Sequence, residues 1–313
     1  MKITLTDSAR CFEPGFLLLS SVSDIEPAPD GVPVFWQKKD HLEVSWDGSR
    51  ALLGGSNTVQ FFRGLGILKE RLPDAKPFCV QESPVFAALG ASFDLSRNAV
   101  MTPEAMERML CRMALMGYNE AYLYTEDTYE LPGYPFFGYL RGRYTADDIR
   151  ALDEKAALLG IELIPCIQTL GHLERFLHWE SSAPLRDTPD VLLADEDSVY
   201  ELIDAMFRQC RACYRTRKIH IGMDEAMNLG LGGYLKKHGF QDSFSIMLRH
   251  VNRVRDLAHK YQFSPMMWSD MYFRCASPDH NYYEDQISIP EWVSDSAPDD
   301  VELVYWDYYH PDQ

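Results

Sequence analysis

The chain has no run of about 20 apolar residues, the length a bilayer crossing needs. Its amino terminus, Met1-Lys2-Ile3-Thr4-Leu5-Thr6-Asp7-Ser8, has neither an apolar h-region nor a small-residue cleavage site. A soluble, unexported, cytoplasmic protein with no membrane partner is therefore expected. A basic run is also missing: 30 Lys and Arg stand against 47 Asp and Glu, a net charge of -17. Phosphate-tracking surfaces need clustered cations, which argues against nucleic acid as a partner. The seven cysteines include one Cys-x-x-Cys spacing, Cys210-Arg211-Ala212-Cys213. Cys210 and Cys213 are one helical turn apart but have no second ligand pair, so mostly buried, reduced thiols are expected rather than zinc. No Gly-x-Gly-x-x-Gly or Walker sequence occurs, and the turn after the first strand of the main region is Asp94-Leu95-Ser96-Arg97-Asn98. A dinucleotide-binding sheet would carry glycines there.

What is present divides into two regions. At 313 residues and 46% hydrophobic content, the chain can build a sizeable core, and two domains are expected. Residues 1–84 hold short alternating segments, Gly15 to Leu19 and His41 to Trp46, then a helical pattern from Thr58 to Leu72. This reads as a small α+β domain ending at the prolines Pro73, Pro77 and Pro84. From residue 85, short apolar strands alternate with longer helical stretches, the pattern of βα units feeding a parallel sheet. Six strands are predicted: Ala88–Phe93, Glu120–Tyr124, Glu162–Ile167, Lys218–Met223, Ser264–Met267 and Glu302–Tyr305. Helices are predicted at Pro103–Met116, Asp147–Leu159, Val199–Tyr214 and Phe244–Tyr261. The first of these has Thr102 as N-cap, Pro103 at the first helical position and Gly117 as a stop. The expected fold is α/β, a (β/α)8 TIM barrel preceded by the α+β domain. Only six βα units are seen over residues 85–313; the two others, about 80 to 100 residues, are expected to lie outside this sequence, and the barrel to be truncated after strand six.

Each strand runs out into polar or aromatic residues, and the fourth is the most informative. Ile219-His220-Ile221-Gly222-Met223-Asp224-Glu225-Ala226 ends an apolar run on two adjacent carboxylates. Consecutive strand residues face opposite sides, so two acids in a row share a pocket only where the strand ends and the backbone turns. In a TIM barrel the active site gathers at the carboxyl ends of the strands. Neighbouring carboxylates are badly placed to act from opposite faces of one substrate.

These segments together resemble glycoside hydrolase family 20, the β-N-acetylhexosaminidases. His220-x-Gly222-x-Asp224-Glu225 resembles the family's signature at the end of strand four, and Gly90-x-x-x-Asp94-x-x-Arg97 its strand-one segment. Thr125-Glu126-Asp127 stands where the family has an acidic pair, Gly171-His172 where it has Pro-Gly-His, and Trp268 and Trp306 where it has pocket-wall tryptophans. Gly54-Gly55-Ser56-Asn57-Thr58, leading into a helix that bears Gln60, resembles the family's preceding domain. The resemblance implies exo-acting, retaining release of terminal N-acetylglucosamine or N-acetylgalactosamine with catalysis assisted by the acetamide. It also implies no cofactor or metal, and amino-sugar glycosides or oligosaccharides as the small-molecule partner. Glu225 would be the general acid and then base, its proton held by the neighbouring carboxylate and a semi-apolar cleft. Asp224 would orient the acetamide N–H, Asp127 and His172 would fix the two acids, and Trp268 and Trp306 would wall the sugar pocket. The family's arginine for the sugar O3 and O4 is Leu89 here, which leaves Arg97 as candidate, or as an ion-pair partner of Asp94. Tyr308 or Tyr309 would stand in for the acetamide-binding tyrosine.

Two other readings fit the same residues. His172, His220, Asp224 and Glu225 could form a metal-dependent hydrolase site, although no His-x-His pair exists. An incomplete barrel with open sheet edges could be a non-catalytic sugar-binding or partner-binding fragment, and would then associate as a homo-oligomer or with a complementary chain. His41, His238, His250, His259 and His280 stand in polar surroundings and are expected to be solvated, while Met223, Met266 and Met267 read as barrel packing.

Overall fold

A computed structural model describes residues 1–74, 76–284 and 286–310. The chain forms two compact units, residues 1–93, 101–122 and 147–163 in one and residues 94–100, 123–146 and 164–313 in the other.

The first unit begins with β1 (Lys2–Leu5), helix α1 (Glu13–Val22), β2 (Glu26–Pro27), β3 (Val32–Lys38), β4 (Leu42–Trp46) and β5 (Ala51–Gly55). Helix α2 (Thr58–Arg71) and β6 (Phe78–Glu82) follow. The sheet order is β2-β1-β3-β5-β4-β6, parallel from β2 through β5 and antiparallel on either side of β4. Asn57 caps α2 by accepting the Gln60 N–H at 3.0 Å. Leu53, Phe61, Phe62, Leu65 and Leu68 close the core beneath. The Gly15–Leu19 segment, expected as an extended stretch, lies inside α1. Pro14 sits in the first turn, where its fixed φ favours a helix, and the run Phe16-Leu17-Leu18-Leu19 lacks the β-branched residues that stiffen a strand. Phe16 and Leu19 make the buried stripe.

The second sheet contains β7 (Gly90–Asp94), β8 (Glu120–Tyr124), β9 (Glu162–Cys166), β10 (Lys218–His220), β11 (Ser264–Trp268) and β12 (Glu302–Val304). Its order is the order of the sequence, and β9 to β12 pair in parallel. Helix α3 (Pro103–Met116) stands between β7 and β8 in sequence, α4 (Ala146–Leu158) between β8 and β9. The long β9–β10 connection carries α5 (Glu174–Leu177) and α6 (Asp197–Cys213), and α7 (Gly233–His238) and α8 (Ser243–Lys260) precede β11. Helices α9 (Asp270–Arg274) and α10 (Glu291–Ser296) lie before β12. This is an α/β architecture with the βα succession of a TIM barrel. Thr102 caps α3 through the Ala105 N–H, and Gly117 ends it at φ +87°.

The seven cysteines are free, and Cys111, Cys166, Cys210 and Cys213 are buried. Met223, Met266 and Met267 are buried as well. No described helix is long and apolar enough to cross a membrane. His250 departs from expectation: it is fully buried, with Nδ1 at 3.0 Å from the Tyr200 hydroxyl and Nε2 at 2.8 Å from the Thr169 carbonyl. It occupies the inward stripe of α8 with Ile246, Met247, Val251 and Val254, and burial pushes its pKa down to about 4.

Candidate active site

Asp224 and Glu225 follow β10, and every residue around them described below belongs to the second unit. The turn that delivers them is tightly built. Gly222, Met223 and Glu225 all have positive φ, at +71°, +73° and +52°. At Gly222 a Cβ would meet the Gln168 side-chain oxygen at 2.0 Å and the Ile167 carbonyl at 2.8 Å. Glycine is therefore required there both for conformation and for space. Gly222→Ala is expected to lower stability by roughly 1–3 kcal/mol or more, which a shifted urea midpoint would report. His220 supports the same turn. Its Nδ1 accepts the Gly222 N–H at 3.1 Å, its ring lies 4.4 Å from that of Trp268, and burial pushes its pKa down to about 4, so it is neutral at pH 7.

Asp224 is held by two residues from the β9 exit. Its Oδ1 accepts the Gln168 amide N–H at 2.8 Å, and its Oδ2 lies 3.0 Å from His172 Nε2. That exit comes close because Gly171 has no side chain: a Cβ there would sit 2.7 Å from the Asp224 carbonyl oxygen. Burial alone would raise the Asp224 carboxyl, but His172 and Gln168 outweigh it and hold it below the usual carboxylate range. Burial likewise works against a charged His172, and Asp224 overcomes it and carries the imidazole above its usual 6.5. His172 Nε2 also lies 3.5 Å from Glu225 Oε2, so one ring touches both acids.

This pairing has a signed consequence for stability. The His172 contribution is complete below the unfolded pKa of about 6.5 and is lost as pH rises through the higher folded value. The Asp224 contribution is complete above about pH 4 and is lost as pH falls through its lower folded value. The ion pair is thus strongest between about pH 4 and 6.5. His172→Gln is expected to flatten the pH dependence of the denaturation midpoint, with the larger destabilisation at pH 5.5 than at pH 8.5.

Glu225 has a different set of neighbours. Its N–H donates to Asp270 Oδ2 at 3.0 Å, and its Oε1 accepts from the Arg274 guanidinium at 3.1 Å. Burial, and then the Asp224 charge, push Asp270 up to about 6.

The other expected site residues have neighbours of their own. Arg97 donates to Asp94 at 3.0 Å and to the Tyr124 hydroxyl at 3.1 Å, and lies 3.9 Å from Glu126. Tyr124 in turn accepts the second Gln168 N–H at 3.0 Å, which links Arg97 to Asp224 through Tyr124 and Gln168. Asp127 is almost fully buried and faces Arg141 at 3.6 Å. Its proton affinity, like that of Glu126, is raised, in both cases chiefly by burial. Trp268 packs on His220, and Trp306 lies 4.8 Å from the Tyr282 ring and 5.4 Å from that of Tyr308. Tyr308 is 82% exposed and Tyr309 73%. Gln168, Tyr124, Asp270 and Arg274 are the site residues that sequence reasoning missed. Asp270 and Arg274 could have been found from their i, i+4 spacing just after a strand exit.

His172, Asp224 and Glu225 place ligand atoms within 4.8 Å of one another. A divalent ion there would need an unprotonated imidazole, whereas His172 is shifted toward its charged form.

The sequence pattern described as glycosyl hydrolase family 20, catalytic domain, matches residues 90–307. The chain belongs to glycosyl hydrolase family 20. Two relatives named Hexosaminidase D agree with it: that of Bos taurus is 30% identical over 189 residues, covering 56% of this chain and 51% of the relative. That of Homo sapiens is 29% identical over 174 residues, covering 53% and 33%. The chain thus spans about half of the first relative's length and about a third of the second's. Among solved structures, a family 20 exo-β-N-acetylglucosaminidase from Vibrio harveyi, in complex with N-acetylglucosamine, superposes with a TM-score of 0.74 at 15% identity. It covers 98% of this chain and 54% of its own. The family 20 β-N-acetylhexosaminidase of Streptomyces coelicolor A3(2) gives 0.70 at 18%, covering 98% and 65%. At such identities the likeness speaks for the fold, which agrees with the barrel-type succession of strands. The family 20 match contains Arg97, Asp127, His172, Asp224, Glu225, Trp268 and Trp306, and ends one residue before Tyr308.

Proposed function

We propose that this chain carries the catalytic centre of an exo-acting, retaining β-N-acetylhexosaminidase that removes terminal N-acetylglucosamine or N-acetylgalactosamine by acetamide-assisted catalysis. In this reading residues 1–84 form an accessory α+β domain and residues 85–313 carry the chemistry. The observation that carries it is the shared imidazole: His172 Nε2 lies 3.0 Å from Asp224 and 3.5 Å from Glu225. Two acids gathered on one ring approach a sugar from one side. The spacing supports neither the ~6.5–9.5 Å separation of an inverting pair nor attack by one of them on the opposite face.

Glu225 protonates the glycosidic oxygen as the acetamide carbonyl oxygen attacks C1, and the C1–O bond breaks. Asp224 accepts the acetamide N–H and offsets the positive charge that spreads over the oxazolinium ring. Glu225 then takes a proton from water, whose oxygen adds to C1 and reopens the ring, giving net retention. Trp268 and Trp306 offer apolar walls to the sugar face and the acetamide methyl. Arg97 and Tyr308 are candidates for hydroxyl and acetamide contacts, with Asp127 and His172 as supports.

Hydrolysis of aryl N-acetyl-β-glucosaminide and N-acetyl-β-galactosaminide by the purified protein tests this, with Glu225→Gln and Asp224→Asn alongside. Turnover that persists in EDTA and falls in both variants supports the reading. Loss with EDTA and recovery with a divalent ion would turn it toward metal-assisted hydrolysis. No turnover on either glycoside would leave a sugar-binding role.

A further inference from the structure

Glu225 is the more exposed of the two acids, its side chain 39% accessible, and its backbone sits at φ +52°, a conformation disfavoured for a residue with a Cβ. Something must hold both its backbone and its carboxylate, and one helical turn does so. Asp270 and Arg274 are the first and last residues of α9, i, i+4 on one face. Asp270 is fully buried; its Oδ2 accepts the Glu225 N–H at 3.0 Å and the Arg274 Nε–H at 2.8 Å. Arg274, 11% exposed, donates from Nη2 to Glu225 Oε1 at 3.1 Å and from Nη1 to the His280 carbonyl at 3.0 Å. Its guanidinium lies 5.7 Å from the Tyr282 ring centre and 5.8 Å from that of Trp306. The bonds close a loop that begins at the Glu225 N–H, passes through Asp270 and Arg274, and returns to Glu225 Oε1.

We propose that Asp270 and Arg274 are positioning residues that aim Glu225 at the leaving oxygen, a role that rests on the glycosidase reading above. Arg274 occupies Oε1, so Oε2, on the His172 side, is the oxygen left to deliver the proton. The guanidinium fork satisfies two carboxylates at fixed angles, which an ammonium on a flexible stem cannot do. Asp270 fixes the fork and the backbone together, so neither residue needs to touch the sugar.

A residue that aims a general acid matters in proportion to how badly the leaving group needs a proton. The test is kcat/KM, which reports steps through departure, for phenyl and 2,4-dinitrophenyl N-acetyl-β-glucosaminides. Arg274→Gln is expected to lower the phenyl value about 30–100-fold and the dinitrophenyl value less than about 3-fold, a smaller loss than the ~10²–10⁴-fold of removing the general acid itself. Arg274→Lys should recover part of the phenyl loss, and Asp270→Asn should show the same selectivity. Equal losses on both substrates, or none on either, would overturn the proposal. A wild type inactive on both would sink the glycosidase reading instead. The crystal structure of Arg274→Gln then decides the positioning by itself: Glu225 in more than one side-chain conformer supports it, and an unmoved Glu225 overturns it. Should Arg274→Gln fail to fold, Arg274→Lys provides the same readouts.

Discussion

Glu225→Gln is expected to lower kcat/KM toward phenyl N-acetyl-β-glucosaminide by about 10²–10⁴-fold, the range that general acid catalysis contributes. Glutamine keeps the length of the side chain and can still meet Arg274 through its carbonyl oxygen, so the fold should survive. It cannot deliver a proton to the departing oxygen. The loss should therefore shrink when the leaving group departs unaided, as a dinitrophenolate does, and a uniform loss across leaving groups would contradict the assignment. Because the same residue activates water in the second step, kcat for the activated substrate should still fall even where kcat/KM does not.

Asp224→Asn is expected to cost about 10²–10³-fold in kcat, comparable to removing one preorganised electrostatic contact from a reacting centre. Asn can accept the acetamide N–H but has no charge to set against an oxazolinium. That charge develops on the way to the transition state, so KM should change much less than kcat. A thiazoline mimic of the bicyclic intermediate should lose affinity in parallel with kcat. The change also removes the negative partner of His172 and turns Gln168 Nε2–H toward an amide, so the imidazole should titrate lower in the variant, as ring-proton NMR would report. Unchanged thiazoline affinity would argue that Asp224 serves the turn rather than the reaction.

The parts of this architecture that could be read from sequence are those with strong local signals. Helix α3 was legible because Thr102, Pro103 and Gly117 mark its ends chemically, and β8 because five residues between two polar stretches leave little choice of register. The strand-ending acids were legible because Asp224-Glu225 interrupts an apolar run. Other elements depend on tertiary partners. Strand β3 contains Pro33 and shows no clean alternation, and its burial follows from pairing with β1 and β5. His250 looked solvated beside Arg249, yet its helical phase with Ile246 and Val254 places it inward. Gln168 was visible in the β9 exit, but nothing in its spacing tells that it grips Asp224, Tyr124 and the Met223 N–H at once. The expected neighbours of Glu225 were Asp224, Asp127 and His172; the Arg274 contact arises because α9 begins one residue after β11 ends.

Hydrolysis of a series of aryl glycosides in which the N-acetyl group carries zero, one, two or three fluorines tests the central claim most directly. Fluorine weakens the carbonyl oxygen as a nucleophile without altering the leaving group. If the substrate's amide attacks C1 while Asp224 and Glu225 share the support on one side, kcat/KM should fall steeply and steadily with each fluorine. A flat series would mean that a protein side chain or water attacks C1, and would contradict the account.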